Sequence, residues 1–286
     1  MDNNEDSTIL FEAKTHAAHT FKILIETLKD YLGKGRGGSF IVNTKGIFLR
    51  NANSKQDILC DVSLLAENFQ DYTIATNDDI CFSINLNTFY NEMLKKIRKK
   101  DSIVIQLLKE QQGMYLRVIK DSAENKGNHT ISKTMVINSS SLSFVPPTGY
   151  GLPINILSKS FQSCREIRPS NKEIEITCWN DKSLRFFITK DGVVDNQVYF
   201  DLRDDGREKV ETFKAKFVAS YIVRVHKLAG LSETIKISLK KGLPLCYKMN
   251  VGCLGTIEIY IKTLEQIQSE QDTEYNCDAE DDCNTE

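Results

Sequence analysis

Lys22 and Lys29 are seven residues apart. That is two turns of an α-helix, so both project from one side of it. Lys95, Lys96, Arg98, Lys99 and Lys100 crowd the end of a second helical pattern, Lys159, Arg165 and Arg168 mark a third, and Lys216, Arg224 and Lys227 a fourth. An ammonium on a flexible stem suits contact with phosphate without reading bases. No aromatic residues interleave these cations, which argues against a stacking platform for single strands. The chemistry this pattern points to is attraction to the backbone of a duplex, without sequence preference.

Other candidate chemistries lack partners. His16, His19, His129 and His226 stand in unrelated contexts. His16-x-x-His19 has no evident third ligand for a metal. Gly33-Lys34-Gly35-Arg36-Gly37-Gly38 follows a helical pattern rather than a strand and lacks the Ser/Thr of a phosphate loop, so it reads as a helix-to-strand turn. Asp78-Asp79 reads as a turn between strands, and Trp179 as sheet packing. No G-x-S-x-G or H-E-x-x-H occurs. The expectation is no catalytic residue, no metal, no cofactor and no enzyme activity.

The net charge of −2 conceals a partition. Segments 16–31, 86–100, 156–168 and 214–228 hold 14 Lys/Arg against 4 Asp/Glu. From Glu265 onward there are nine acids and no base, and Met1 to Asp6 adds three acids. Distribution, rather than the total, decides affinity for a polyanion. The 286 residues, 41% hydrophobic and 27% charged, suit a globular chain of two domains. Eight cysteines without C-x-x-C spacing, and a polar start without a signal-peptide core, read as reduced thiols in an intracellular protein. The sequons at Asn128 and Asn138 then read as chance matches.

The elements that must position the cations recur about every 60–70 residues, with helix centres near Leu24, Glu92, Phe161 and Tyr221. The apolar stripes are Phe21, Leu24, Ile25, Leu28 and Leu32, then Leu86, Phe89, Tyr90, Met93, Leu94 and Ile97. The third is Leu157, Phe161, Cys164 and Ile167, stopped by Pro169, and the fourth Phe217, Val218, Tyr221, Ile222, Val225 and Leu228. Short β-rich runs separate them, including Phe40-Ile41-Val42, Ser102-Ile103-Val104-Ile105, Ile174-Glu175-Ile176-Thr177 and Thr256-Ile257-Glu258-Ile259-Tyr260. Strands and helices do not alternate singly, so the class is α+β with antiparallel sheets, each covered on one face by a few helices. Ser139 to Tyr150, rich in serine, proline and glycine, is the one convincing linker. The expected parts are an acidic tail 1–7, a lobe 8–138, a connecting loop 139–150, a second lobe 151–264 and a disordered acidic tail 265–286.

Several segments, in order, resemble a known family. Phe11-Glu12-Ala13-Lys14, then Glu26-Thr27-Leu28-Lys29-Asp30, look like the first strand and helix of the sliding DNA clamp family, proliferating cell nuclear antigen. Ile84-Asn85-Leu86, Cys164-Arg165-Glu166-Ile167 with Ile176-Thr177-Cys178, and Gly242-Leu243-Pro244-Leu245-Cys246-Tyr247 with Gly255-Thr256-Ile257-Glu258-Ile259-Tyr260 extend the resemblance over 9–263. It is a divergent resemblance, of the kind a viral lineage would show.

The resemblance implies a DNA clamp fold. Two similar lobes would each carry antiparallel sheets outside and two helices inside, and three subunits would close a six-lobed ring around double-stranded DNA. The protein would be a homotrimer, a polymerase processivity factor without chemistry of its own, located in the nucleus or at a viral replication site. DNA-facing positions would be Lys22, Lys29, Lys159, Arg165 and Lys216, joined by Lys95, Lys96, Arg98, Lys99, Arg224 and Lys227 in helices whose length differs from the family's. A pocket for short peptide motifs of a polymerase, clamp loader, nuclease or ligase would involve Ala52, Leu142, Phe144, Pro244 and Tyr260. Ring closure would pair edge strands near 128–137 (Thr130, Ser132, Thr134) and 194–202 (Val194, Gln197, Tyr199). A subunit of a heterotrimeric checkpoint clamp shares this fold and stays open as an alternative, with a DNA-processing enzyme behind it.

Overall fold

The computed structural model describes residues 8–33, 37–121, 129–139, 144–167, 173–179, 183–190, 193–202 and 212–281. They divide into two compact units. Unit one comprises Met1–Pro146, Gly230–Glu233 and Lys248–Ile259, and unit two comprises Pro147–Ala229, Thr234–Tyr247 and Tyr260–Glu286.

Unit one begins with β1 (Thr8–Thr15) and α1 (Ala18–Leu32), followed by β2 (Gly37–Asn43), β3 (Gly46–Ala52), β4 (Ile58–Leu65), β5 (Asp71–Ile74) and β6 (Ile80–Asn85). Next come α2 and then β7 (Ser102–Glu110), β8 (Gly113–Asp121) and β9 (His129–Asn138). Every described pairing is antiparallel, in the orders β5-β1-β7-β8-β9 and β4-β3-β2-β6. The two runs meet only where Phe82 and Ser83 of β6 pair with Asn138 and Ile137 of β9.

The apolar stripe of α1 is buried as its spacing requires, with Phe21, Leu24, Ile25, Leu28 and Leu32 all inside. Gly33 ends this helix at φ +91°, a left-handed value that glycine takes without strain, and its N–H reaches the Lys29 carbonyl at 3.2 Å. Helix α2 opens at Leu86–Thr88, where the Asn85 side chain accepts from the N–H groups of Asn87 and Thr88. It continues as a π-helix over Phe89–Leu94, widened so that the Lys95 N–H donates to the Tyr90 carbonyl at 2.7 Å. Leu86, Phe89, Tyr90, Met93, Leu94 and Ile97 are buried.

Unit two contains β10 (Ile154–Leu157), α3 (Ser158–Phe161, continuing as a 3-10 turn over Gln162–Glu166), β11 (Glu173–Trp179), β12 (Ser183–Lys190), β13 (Val193–Asp201) and β14 (Phe213–Val218). Helix α4 (Ala219–Arg224) continues as a 3-10 turn over Val225–Gly230, ahead of β15 (Thr234–Ser238), β16 (Leu245–Val251), β17 (Gly255–Ile261) and α5 (Leu264–Asp281). A four-stranded antiparallel sheet runs β13-β12-β11-β14. Its buried face is organised by Phe161, whose ring lies 5.8 Å from Phe186, 5.7 Å from Phe200 and 5.8 Å from Tyr247.

The hairpin ends of β16 and β17 that fall within Lys248–Ile259 belong to unit one, where β17 lies beside β4. A Cβ at Gly255 would stand 1.9 Å from the Ser63 carbonyl oxygen, so only glycine allows this approach.

Several sequence expectations are corrected. Leu157 ends β10 and is 64% exposed, so the third apolar stripe begins at Phe161 and continues through Cys164 and Ile167. Phe217 and Val218 lie on β14, which leaves Ile222, Val225 and Leu228 as the members of that stripe buried in the α4 region, together with Ala219. Trp179 is exposed at the end of β11 rather than packed within the sheet. Pro169, Arg168 and Leu142 lie outside the described residues.

The segment from Leu264 was expected to be disordered, yet it is helical to Asp281. The cause is a capping box. The Gln266 N–H donates to the Thr263 hydroxyl at 3.1 Å, while the Gln266 side chain accepts from the Thr263 N–H at 2.9 Å. Glu265 in the first turn favours the helix dipole, and Glu270 pairs with Lys262. Thr263→Ala should cost about 1 kcal/mol of local helix stability. Amide exchange should speed up at 264–268 without moving the global unfolding midpoint, and unchanged exchange would mean the box is not what starts α5.

Candidate nucleic-acid interface

In unit one the cations named from the sequence divide into two groups. Lys95, Lys96, Arg98 and Lys99 follow the π-helical part of α2 with exposed side chains. Lys22 and Lys29, on α1, are half-buried. The Lys22 ammonium donates to the carbonyl oxygens of Lys95 and Ile97 at 2.7 and 2.9 Å. Lys29 places its ammonium 4.2 Å from the centroid of the Tyr90 ring and 3.8 Å from Asp30, with 18% of its side chain exposed. Tyr90, which the sequence reading saw only as an apolar residue, donates its hydroxyl to Glu26. Burial, that bond and the charges of Glu26 and Asp30 push its pKa up to about 12.

In unit two, Lys159 and Arg165 are exposed on α3 and its 3-10 extension. Arg224 and Lys227 lie on the α4 region, which packs beside that extension. These four are therefore carried by two neighbouring helices. Lys216 does not join them. It sits on β14, and strand alternation puts it on the sheet face opposite Phe213, Ala215 and Phe217. There its ammonium pairs with Glu173 at 3.1 Å, and Lys214 pairs with Glu175 at 3.0 Å. The inner face of this sheet is the one that Phe161 of α3 covers.

The edge-strand residues lie where pairing stops. Thr130, Ser132 and Thr134 belong to β9, which pairs with β8 along 129–136 and reaches β6 only at its last two residues. Val194, Gln197 and Tyr199 belong to β13, which pairs only with β12 among the described strands. Ile131, Met135 and Ile137 on β9 are exposed, as are Val193, Val194 and Tyr199 on β13.

The residues assigned to peptide docking are placed within their own units. In unit one, Ala52 is buried at the end of β3, and Phe144 is half-buried with its carbonyl accepting from Arg50 Nη1 at 3.1 Å. Arg50 is itself held by Asp61 across the β3–β4 pair, at 3.0 Å from Nε and 2.7 Å from Nη2. In unit two, Tyr260 is only 5% exposed, its ring 6.4 Å from that of Tyr150. The Tyr150 hydroxyl donates to the Pro244 carbonyl at 2.7 Å. Arg50 and Tyr150 carried no sequence signal, since each acts through a main-chain oxygen far away in the chain.

Among the described residues no group of three or more His, Cys, Asp or Glu is placed to hold a metal ion, and no helix is long and apolar enough to cross a membrane. Burial pushes the thiols of Cys60 and Cys164 up, which keeps them protonated and poorly nucleophilic.

The model of the proliferating cell nuclear antigen N-terminal domain matches residues 10–141, the stretch that builds most of unit one. Three relatives align over most of the chain. A probable DNA polymerase sliding clamp of Acanthamoeba polyphaga mimivirus is 26% identical over 231 residues, 78% of this chain and 48% of that protein. The chain thus spans about half the length of the mimivirus protein. Proliferating cell nuclear antigen of Chaetomium thermophilum is 23% identical over 261 residues, 88% of this chain and 97% of that protein. Proliferating cell nuclear antigen 2 of Plasmodium falciparum is 22% identical over 237 residues, 80% of this chain and 87% of that protein. The chain is similar to the proliferating cell nuclear antigen family over residues 10–141 and, at low identity, to these three relatives over most of its length. Its two units of antiparallel sheet with few helices agree with the two-lobed clamp fold.

One titratable group reports on the basic end of α2. His19 is held below its ordinary 6.5, first by burial and then by the charges of Lys22 and Lys99. It therefore stays neutral just under pH 6.5, where the unfolded chain is protonated, so acidification through that window removes stability. An NMR titration should place its midpoint below 6.5, and Lys99→Ala should raise it. A midpoint unmoved by that substitution would separate Lys99 from His19.

Proposed function

We propose that this chain is the subunit of a homotrimeric sliding clamp that encircles duplex DNA, acts as a polymerase processivity factor and performs no chemistry itself. The observation that carries the reading is the pair of open strand edges, β9 in unit one and β13 in unit two. An unpaired edge bearing exposed Ile131, Met135 and Ile137, or Val193, Val194 and Tyr199, is an aggregation hazard unless another strand covers it. Two different edges on one chain make a head-to-tail contact, which closes into a ring when the rotation per subunit divides a full turn. Basic helical segments in each unit supply the distributed, sequence-independent attraction that sliding requires. The three relatives, each carrying a clamp or proliferating cell nuclear antigen name, support the same reading.

Size-exclusion chromatography with light scattering should give three times the chain mass. Ile131→Glu with Met135→Glu should convert that species to a folded monomer. A trimer that survives the pair would remove β9 from the contact. A wild-type chain that stays monomeric until mixed with two different partners would favour a heterotrimeric checkpoint clamp.

Partner docking belongs to the same proposal, taken in each unit by itself at Ala52 and Phe144 of unit one and at Pro244 and Tyr260 of unit two, as does work at a nuclear or viral replication site. Its support is the anchoring of Phe144 by Arg50 and of Pro244 by Tyr150. Burying a partner's aromatic side chain against such residues would contribute a few kcal/mol, at about 25 cal/mol per Å². Phe144→Ala should weaken binding of a clamp-binding peptide from a replicative polymerase roughly tenfold or more while trimers persist. Undiminished affinity would exclude Phe144 from docking.

A further inference from the structure

Lys22, Glu26 and Lys29 stand at i, i+4 and i+7 on α1, one above another on a single side. Each engages α2 at a different point. The Lys22 ammonium spends two of its three N–H bonds on the carbonyl oxygens of Lys95 and Ile97. Glu26 accepts the Tyr90 hydroxyl, and Lys29 covers the face of the same ring. The carbonyls at the end of a helix have no partner within it, and a cation there also offsets the negative end of the helix dipole. A π-helical turn has poorer geometry than an α turn, so α2 needs ties of this kind from outside itself.

We infer that Lys22 and Lys29 are positioning residues that clasp α2, and that phosphate contact in unit one is made by Lys95, Lys96 and Lys99, whose placement the clasp determines. Lys22 has one N–H left over from the two carbonyls, and Lys29 is a largely covered side chain with its ammonium over the Tyr90 ring, so neither is free to move toward a phosphate without loosening α2. Lys95, Lys96 and Lys99 are exposed and need give up no such interaction. This assignment of roles rests on the clamp reading above, whereas the clasp itself does not.

The test uses the full chain and a random-sequence duplex. In the absence of DNA, Lys22→Met should accelerate amide exchange across 90–97 about tenfold or more, because charge-assisted bonds to that segment are removed. A phosphate ligand has no such effect when no phosphate is present. Lys29→Met, which removes only the cation over Tyr90, is read in the same way and keeps the test open if Lys22→Met does not fold. Then log affinity for the duplex is measured against log salt. Lys95→Ala/Lys96→Ala/Lys99→Ala should make the slope shallower by about 0.9 for each lysine that had neutralised a phosphate. Adding Lys22→Met to that triple variant should leave the slope where it is. Unchanged exchange in both single variants would overturn the clasp. A further flattening of the slope by about one on adding Lys22→Met would overturn the division of roles by making Lys22 a phosphate ligand. If the wild-type protein shows no salt-dependent affinity for the duplex, the clamp reading fails, and the exchange result is unaffected.

Discussion

The seating of the Lys22 ammonium on the carbonyl oxygens of Lys95 and Ile97 is the interaction on which the charge pattern of unit one depends. Helix α2 consists of Leu86–Thr88 and a π-helical Phe89–Leu94, far below the ~12–15 residues at which a helix begins to hold in water. Its inner side is held by Phe89, Met93 and Leu94 in the core, with the Phe21 and Phe89 rings 6.1 Å apart. Packing of that kind fixes where the helix lies but does little for its last carbonyls, which face outward and carry the exposed lysines with them. A cation from α1 completes those carbonyls, and so a long helix organises a much shorter one.

Unit two meets the same difficulty by packing. Helix α3 is a single α turn followed by a 3-10 turn, and neither Leu157 before α3 nor Val218 before α4 supplies a side-chain cap. What holds α3 is Phe161, fully buried and in ring contact with Phe186, Phe200 and Tyr247. Cys164 and Ile167 complete its buried side, and the α4 region packs beside it. Helices held by one aromatic anchor can tolerate change at exposed positions such as Lys159 and Arg165 without harm to the core.

The parts legible from sequence were those with a strong local period. The α1 stripe, the buried residues of α2 and the strands around Phe40, Ile103, Ile174 and Ile257 follow from spacing alone. Boundaries were less legible. Leu157, Phe217 and Val218 fit a helical stripe by spacing but end or belong to strands, because β10 and β14 run directly into α3 and α4 without a turn residue between them. The helix α5 was hidden by acidic composition, although Thr263-x-x-Gln266 was there to be read as a capping box. The roles of Lys22 and Arg50 could not have been read at all. Both bind main-chain oxygens 73 to 94 residues away, and no spacing rule reaches that far.

Local pairing also decides which positive charges in a chain of net charge −2 remain for a polyanion. On the outer face of the β11–β14 pair, Lys214 and Lys216 face Glu175 and Glu173, so their fields cancel over a few ångströms. Lys133 on β9 is likewise paired with Glu110, and Lys248 on β16 with Glu258. Cations on strands thus find carboxylates in the same sheet, on the neighbouring strand for Lys214, Lys216 and Lys248 and two strands away for Lys133. The end of α2 is different. Lys95, Lys96 and Lys99 extend from the end of α2, and the only acid within α2 is Glu92. Opposite charges a few ångströms apart present little field beyond a Debye length of about 8 Å, whereas a cluster of one sign still does. These paired strand cations are therefore close to neutral at a distance, whereas the cluster at the end of α2 is not. A net charge and a pI of 6.2 average over this difference and do not report it.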